Sequence, residues 1–228
     1  MTKLYDFATQ QLRRLYDHYI HTPPVLEEAE FFPGAPQFLQ RWQVLRQEAL
    51  DVARNLQQVP RFHELMAEQA EISANDGKDW RVFLLKAYGV EIAHNMAACP
   101  QLAGLIRANP DVLSATLSFL APHKHIPNHR GPFRGILRFY MGLDVPVDAS
   151  GKVQTVLAVD DVEHHIGTSQ SILWDDTYPH EVWNRSEQPR IALLLDVKRP
   201  GMPWGLEVLS AFLVKIVGWT VRVRKIAQ

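Results

Sequence analysis

The sequence predicts a mainly β fold with added helices: a sandwich or jelly-roll core that helices lead into and one helix follows. Three observations carry this. From Val112 onward, short β-prone runs are bounded by Pro, Gly, Asn and Asp. Before that point, apolar residues recur at helical spacing between proline-rich connectors. After Pro200 an apolar stretch ends in cations. The 228 residues suit one domain, divided into a mainly helical lead-in over 1–110, a β core over 111–200 and an amphipathic helix over 201–228.

The first helix is expected from Lys3 to about Tyr19, where Leu4, Phe7, Leu12, Leu15, Tyr16 and Tyr19 share a face. A second runs from Ala35 to about Leu56 through Phe38, Trp42, Leu45 and Val52. Between them, His21-Thr-Pro-Pro and Phe31-Phe-Pro-Gly-Ala-Pro interrupt regular structure, because proline lacks an N–H and fixes φ. A third helix spans Cys99 to Ala108 and stops before Asn109-Pro110.

Strands are expected at Thr116 to Leu120, Ile136 to Met141, Val153 to Val159, Ser171 to Trp174 and Arg190 to Val197. Side chains alternate across a sheet, so Leu137, Phe139 and Met141 form one face of their strand, and Ile136, Arg138 and Tyr140 the other. Likewise Arg190, Ala192, Leu194 and Asp196 oppose Ile191, Leu193 and Leu195. An arginine and a tyrosine on one side of a strand line something.

In the tail, Leu206 to Val221 holds Val208, Leu209, Phe212, Leu213, Ile216, Val217 and Trp219, then come Arg222, Arg224 and Lys225. The run is shorter than the roughly 20 residues that span a bilayer, and Lys215 interrupts it. It could lie on a membrane surface, or dock on the core or on another subunit.

Composition excludes several classes. Net charge is -1, with 24 Lys+Arg against 25 Asp+Glu, which gives no general attraction to nucleic acid. One cysteine, Cys99, allows neither an internal disulfide nor a Cys-based zinc site, and fits a reducing compartment. Met1 to Arg14 has no apolar secretory core, so a cytoplasmic location is expected, with the tail able to reach the inner face of a membrane.

Ten histidines are present, three of them in His123-Lys-His-Ile-Pro-Asn-His129, two at His164 and His165, and one at His180. A mononuclear iron oxygenase needs imidazoles from two strands meeting at one point, with coordination positions left open. A histidine just before a strand and another about fifty residues later suit that design, although spacing does not say which of the three in the first cluster takes part. His18, His21, His63 and His94 read as solvated or hydrogen-bonded side chains, and His164 and His165 as an exposed hairpin without ligand spacing. Arg138 and Arg190 supply cations that a buried dianion such as 2-oxoglutarate would need, or else structural ion pairs with Asp196 or Asp160. No Gly-x-Ser-x-Gly elbow and no Gly-rich phosphate loop is present.

Two blocks carry a resemblance: His129-Arg-Gly-Pro-Phe-Arg-Gly-Ile-Leu-Arg-Phe-Tyr-Met-Gly-Leu143, and Trp174-Asp-Asp-Thr-Tyr-Pro-His-Glu-Val-Trp-Asn184 followed by Arg190-Ile191 and Asp196-Val197. Across roughly Trp80 to Pro200 the chain resembles the aspartyl/asparaginyl β-hydroxylase family of Fe(II)- and 2-oxoglutarate-dependent oxygenases, which includes protein side-chain hydroxylases and bacterial lipid A and ornithine lipid hydroxylases. The resemblance implies a double-stranded β-helix, a cupin-like jelly roll. It also implies that His129 and His180 hold Fe(II) and that Arg190 binds a 2-oxoglutarate carboxylate. Ser118, Arg138 and Trp80 match co-substrate-pocket positions, and Tyr140 stands where hydroxylases of protein side chains carry a histidine. Gly131 occupies the place of the usual third, carboxylate ligand, as in members that work with two histidines. Asp175 and Asp176 are expected to order the turn before His180 through Asx-type hydrogen bonds, or to bond the imidazoles. The implied reaction consumes O2 and 2-oxoglutarate, releases succinate and CO2, and hydroxylates an aspartyl/asparaginyl side chain or a lipid acyl chain. A cupin-like binding module without catalysis and a zinc-dependent hydrolase are the competing readings. The joint presence of His129, His180 and Arg190 disfavours the first, and glycine at 131 the second.

Overall fold

Alternation of apolar and functional side chains makes the strands two-faced, and the computed structural model, which describes residues 3–223, places a different layer on each face. In chain order, α1 (Lys3–Tyr19) precedes β1 (Val25–Leu26), and α2 (Glu28–Phe31), α3 (Ala35–Leu39), α4 (Trp42–Ala53), α5 (Phe62–Leu65) and α6 (Ala70–Ser73) follow. Next come β2 (Trp80–Ala87), β3 (Val90–Glu91), α7 (Ala93–Ala98) and α8 (Pro100–Ala108). The core continues through β4 (Val112–Leu120), β5 (His125–His129), β6 (Ile136–Asp144), β7 (Thr155–Val159) and β8 (Val162–His164). It closes with β9 (Ser171–Trp174), β10 (His180–Asn184), β11 (Arg190–Lys198) and the tail helix α9 (Trp204–Val223).

The strands form a seven-stranded sheet, β1-β9-β6-β11-β4-β2-β3, and a four-stranded sheet, β5-β10-β7-β8. Neighbouring strands pair antiparallel in both. This is the double-stranded β-helix: two antiparallel sheets facing each other, as the strand pattern predicts. On the outer face of the large sheet, Leu137, Phe139 and Met141 of β6 and Ile191, Leu193 and Leu195 of β11 pack with Phe38, Leu45, Leu102 and Ile106 of the helices. The inner faces of the two sheets share a second apolar cluster, which joins Tyr140 and Ala192 to Leu157 and Val159. The alternation in β6 and β11 therefore divides as expected, one side to the helices and the other to the space between the sheets.

Several elements differ from expectation. The helix expected over 35–56 is broken between Leu39 and Trp42, where Arg41 (φ -108, ψ 15) leaves helical geometry, and both pieces then bury a residue, Phe38 and Leu45, in the core. β2 was not foreseen, although it pairs with β4 near the middle of the large sheet. His125–His129 and His180–Asn184 are strands rather than loops flanking strands. Arg224 and Lys225 lie outside the described residues.

Candidate active site

β5 and β10 are neighbours, and their register sets His129 opposite His180. The ring centroids are 4.1 Å apart, with planes inclined by 52°. His129 Nδ1 lies 2.9 Å from Pro127 O and His180 Nδ1 lies 3.0 Å from Tyr178 O. A carbonyl only accepts, so each Nδ1 carries the proton and each Nε2 keeps its lone pair. Burial pushes the His129 imidazole below its ordinary pKa, and burial reinforced by the charge near His129 pushes His180 down to about 3. Two neutral imidazoles with free Nε2 lone pairs are a donor set for a divalent transition metal.

The first histidine cluster now resolves. His123 is exposed and faces Glu187 at 2.9 Å. His125 stacks on Trp183, with centroids 5.0 Å apart, and bonds Glu181 at 3.0 Å. His129 alone of the three meets His180.

Between the sheets lies a partly enclosed pocket. All seven residues singled out from the sequence line it: Trp80, Ser118, His129, Arg138, Tyr140, His180 and Arg190. The two arginines stand in opposite electrostatic states. Arg138 Nε bonds Asp196 Oδ1 at 2.9 Å and Nη1 sits 3.3 Å from Asp176, so the ion-pair reading holds for it. Burial opposes its charge, but Asp196 and Asp176 outweigh burial and hold its pKa above the ordinary value. Arg190, 3% exposed, has no hydrogen-bond partner on Nε or Nη1 and rests with Cζ 5.5 Å from the Tyr140 ring centroid. Burial lowers its pKa, with only Tyr140 opposing. A guanidinium remains charged even so, and an unpaired buried charge costs several kcal/mol until an anion joins it.

Ser118 and Trp80 act as a pair. Trp80 Nε1 donates to Ser118 Oγ at 3.0 Å, which leaves the serine O–H free to donate to an anion. Trp80 is held by Phe62, stacked at 4.0 Å. Burial raises the Tyr140 pKa, so its phenol stays neutral beside Arg190.

Six buried polar atoms among the described residues lack a hydrogen-bond partner, and five belong to this region: Arg190 Nε and Nη1, His164 Nε2, Trp174 Nε1 and Asp176 Oδ1. Buried polar groups are normally satisfied, so such a concentration marks a place that receives a polar ligand. His164 was read as exposed and is instead a wall of the pocket. The missed signal is Asp160-Asp161: both have positive φ (49° and 64°) and make a two-residue hairpin turn. That turn pairs His164 with Leu157 and aligns both with the inner face.

Of the two aspartates before His180, Asp175 takes one of the expected roles and Asp176 takes neither. Asp175 accepts from Thr177 N at 3.1 Å and Thr177 Oγ1 at 2.6 Å, the expected Asx turn before His180. Its other oxygen accepts from Arg134 Nε at 2.8 Å and from Arg199. Neither aspartate serves the imidazole Nδ1 atoms, which are satisfied by carbonyls. With Asp175 and Arg199 fully buried, Asp175→Asn strands a guanidinium, and unfolding stability measured in urea is expected to fall by about 3–5 kcal/mol. An unchanged midpoint would show the cluster to be dispensable.

Gly131 is required by space. A Cβ there would meet Asp176 Oδ1 at 2.2 Å, while Gly131 N already bonds Asp176 O at 2.7 Å. The Asp176 carboxyl thus fills the volume that a side chain at 131 would need, and burial raises its pKa to about 6 against the pull of Arg138. Gly131→Asp is accordingly expected to cost about 1–3 kcal/mol of stability by overpacking. It should not tighten metal binding; a thermal melt with an anaerobic Fe(II) titration checks both.

The model of the family "Aspartyl/Asparaginyl beta-hydroxylase" matches residues 39–200. The "Ornithine lipid ester-linked acyl 2-hydroxylase" of Rhizobium tropici is 32% identical over 178 residues, covering 78% of this chain and 61% of that protein. The human "Aspartyl/asparaginyl beta-hydroxylase" is 24% identical over 164 residues, covering 70% of this chain and 20% of that protein. The chain therefore spans less than two thirds of the length of either relative. Among solved structures, a Pseudomonas putida prolyl-4-hydroxylase aligns over 71% of this chain and 88% of its own, at 15% identity and a TM-score of 0.46. By the extent of the family match, which takes in well over half of its residues, this chain belongs to the aspartyl/asparaginyl beta-hydroxylase family.

Proposed function

We propose that the protein is an Fe(II)- and 2-oxoglutarate-dependent dioxygenase that hydroxylates an unactivated C–H of a lipid acyl chain. The observation that carries the reading is the unpaired, buried Arg190 guanidinium in the same pocket as the His129–His180 pair. One cavity thereby offers a metal donor set and a charge that requires an anion, the two ends of a metal-chelating dicarboxylate.

His129 and His180 would hold Fe(II) through Nε2, and their Nδ1–carbonyl bonds fix the ring orientation in advance. When bound, Fe(II) with 2-oxoglutarate and O2 supplies the oxidative chemistry, in which the co-substrate becomes succinate and CO2 and the substrate carbon gains a hydroxyl. Arg190 pairs with the far carboxylate, and the Ser118 hydroxyl, its oxygen already accepting from Trp80, donates to the same group. Arg138, neutralised by Asp196 and Asp176, contributes position rather than net charge. Ile126, Val156, Leu157, Ile166 and Leu194 keep the pocket apolar and exclude water.

For the substrate, the identity to the Rhizobium lipid hydroxylase and the tyrosine at 140 support an acyl chain. An open groove of mixed polarity, lined by Val25, Leu39, Ile166 and Ile172 together with Glu163, His165 and Gln170, adjoins the pocket through His164 and Ile166. An aspartyl or asparaginyl side chain is the second reading, supported by the family match and the human relative. Anaerobic addition of Fe(II) and then 2-oxoglutarate is expected to produce the weak visible band of the chelate. Succinate release, measured over ornithine lipids, lipid A precursors and peptides, is expected to respond to an acylated lipid. Tight zinc binding with no chelate band would turn the assignment toward a hydrolase, and stimulation by peptides alone would reverse the substrate.

A further inference from the structure

A helix that is apolar all round is normally buried all round, yet α9 is covered on one side only. Its inner side is fixed along its length. Leu206, Leu209, Leu213 and Val214 pack with Tyr16, Phe133 and Ile136, and the Tyr16 hydroxyl lies 2.8 Å from Ser210 Oγ. Further along, Gly218 comes so close to the turn after β2 that a Cβ would meet Tyr88 O at 2.6 Å. The helix is thus clamped in one rotation.

At roughly 3.6 residues per turn, Trp204, Val208, Phe212, Lys215, Ile216 and Trp219 fall together on the side facing away. Their exposure agrees: Trp204 is 80% exposed, Phe212 59% and Trp219 66%, with Val208 and Ile216 also exposed. The stripe is roughly 22 Å long. Among the described residues no helix is long and apolar enough to cross a membrane.

We propose that the outward face of α9 seats the protein on an anionic lipid surface. The charge pattern selects this occupant. The stripe holds one cation, Lys215, without an ion pair among the described residues, and no acid; Glu207, the one acid of the helix, is half-buried beside it. The sequence adds Arg222, Arg224 and Lys225. A second copy laid against this face would find no acid in the stripe itself to meet Lys215. Anionic headgroups meet it directly, and indoles at both ends of a stripe suit the boundary between headgroups and acyl chains. Phe133, four residues after His129, packs against the inner side of α9. The proposal goes beyond the catalytic reading and does not depend on it, since vesicle binding is read without turnover.

The test is flotation of the full chain with phosphatidylcholine vesicles, alone and mixed with phosphatidylglycerol, at low and high salt. Wild type is expected to float with the anionic vesicles and to be released by salt. Phe212→Glu should weaken binding by about tenfold or more, and Lys215→Glu by several-fold. Both sites are exposed, and circular dichroism melts should match wild type. Absence of binding to anionic vesicles, equal binding by Phe212→Glu, or a wild-type dimer that Phe212→Glu converts to monomer would each overturn the proposal, the last in favour of a second copy.

Discussion

Replacing His180 by alanine is expected to bring succinate release down to background, at least about a thousandfold below wild type. The size of the effect follows from the donor set. Among the described residues no group of three or more His, Cys, Asp or Glu side chains is arranged to hold a metal, so His129 and His180 have no protein ligand in reserve. Loss of the partner of a hydrogen-bonded ligand already costs about 10–100-fold in metal affinity, and loss of the ligand itself exceeds that. Because His180 is buried in β10, a fold defect must be separated from a metal defect. Far-ultraviolet circular dichroism should stay native while Fe(II) binding, followed anaerobically, falls away, and His129→Ala should behave alike. Retained turnover in either variant would remove these histidines from the metal site.

The second large effect lies at Arg190, and it has two opposed parts. Arg190→Ala removes the one cation in the pocket that lacks an anion, so the KM for 2-oxoglutarate is expected to rise by about 100- to 1000-fold. The kcat at saturating co-substrate should change less. Arg190→Lys should recover only part of the loss, since an ammonium presents a point charge where a fork is needed. Without ligand the sign reverses. An unpaired buried charge destabilises the fold, so Arg190→Met should melt at the same temperature as wild type or higher. Wild type should in turn gain melting temperature with 2-oxoglutarate, and the Met variant should not. A wild-type melting temperature unmoved by 2-oxoglutarate, together with a destabilised Met variant, would mean that Arg190 serves the fold instead.

Much of the fold was legible in the chain because it rests on local physics. Runs of β-branched and aromatic residues bounded by turn signals gave five of the eight described strands from Val112 onward, and period-two alternation in β6 and β11 separated Leu137 and Leu193 from Arg138 and Arg190 before any partner was known. β2 escaped, because Trp80 to Ala87 contains Lys86, Arg81 and adjacent leucines and so alternates poorly; its strand state comes from pairing with β4. The helix break at Arg41 escaped because the apolar periodicity continues through it.

By itself the sequence determined the fold class and the family, and named seven residues that line one pocket, because these depend on which residues occur and in what local pattern. Tertiary structure decided the rest. Strand register chose His129 over His123 and His125, carboxylates from β11 and the turn before β10 neutralised Arg138 while leaving Arg190 bare, and the β7–β8 hairpin turned His164 inward. The physical reason is that charge state and accessibility are set by whatever stands across the gap between two sheets, and those partners lie tens of residues away along the chain.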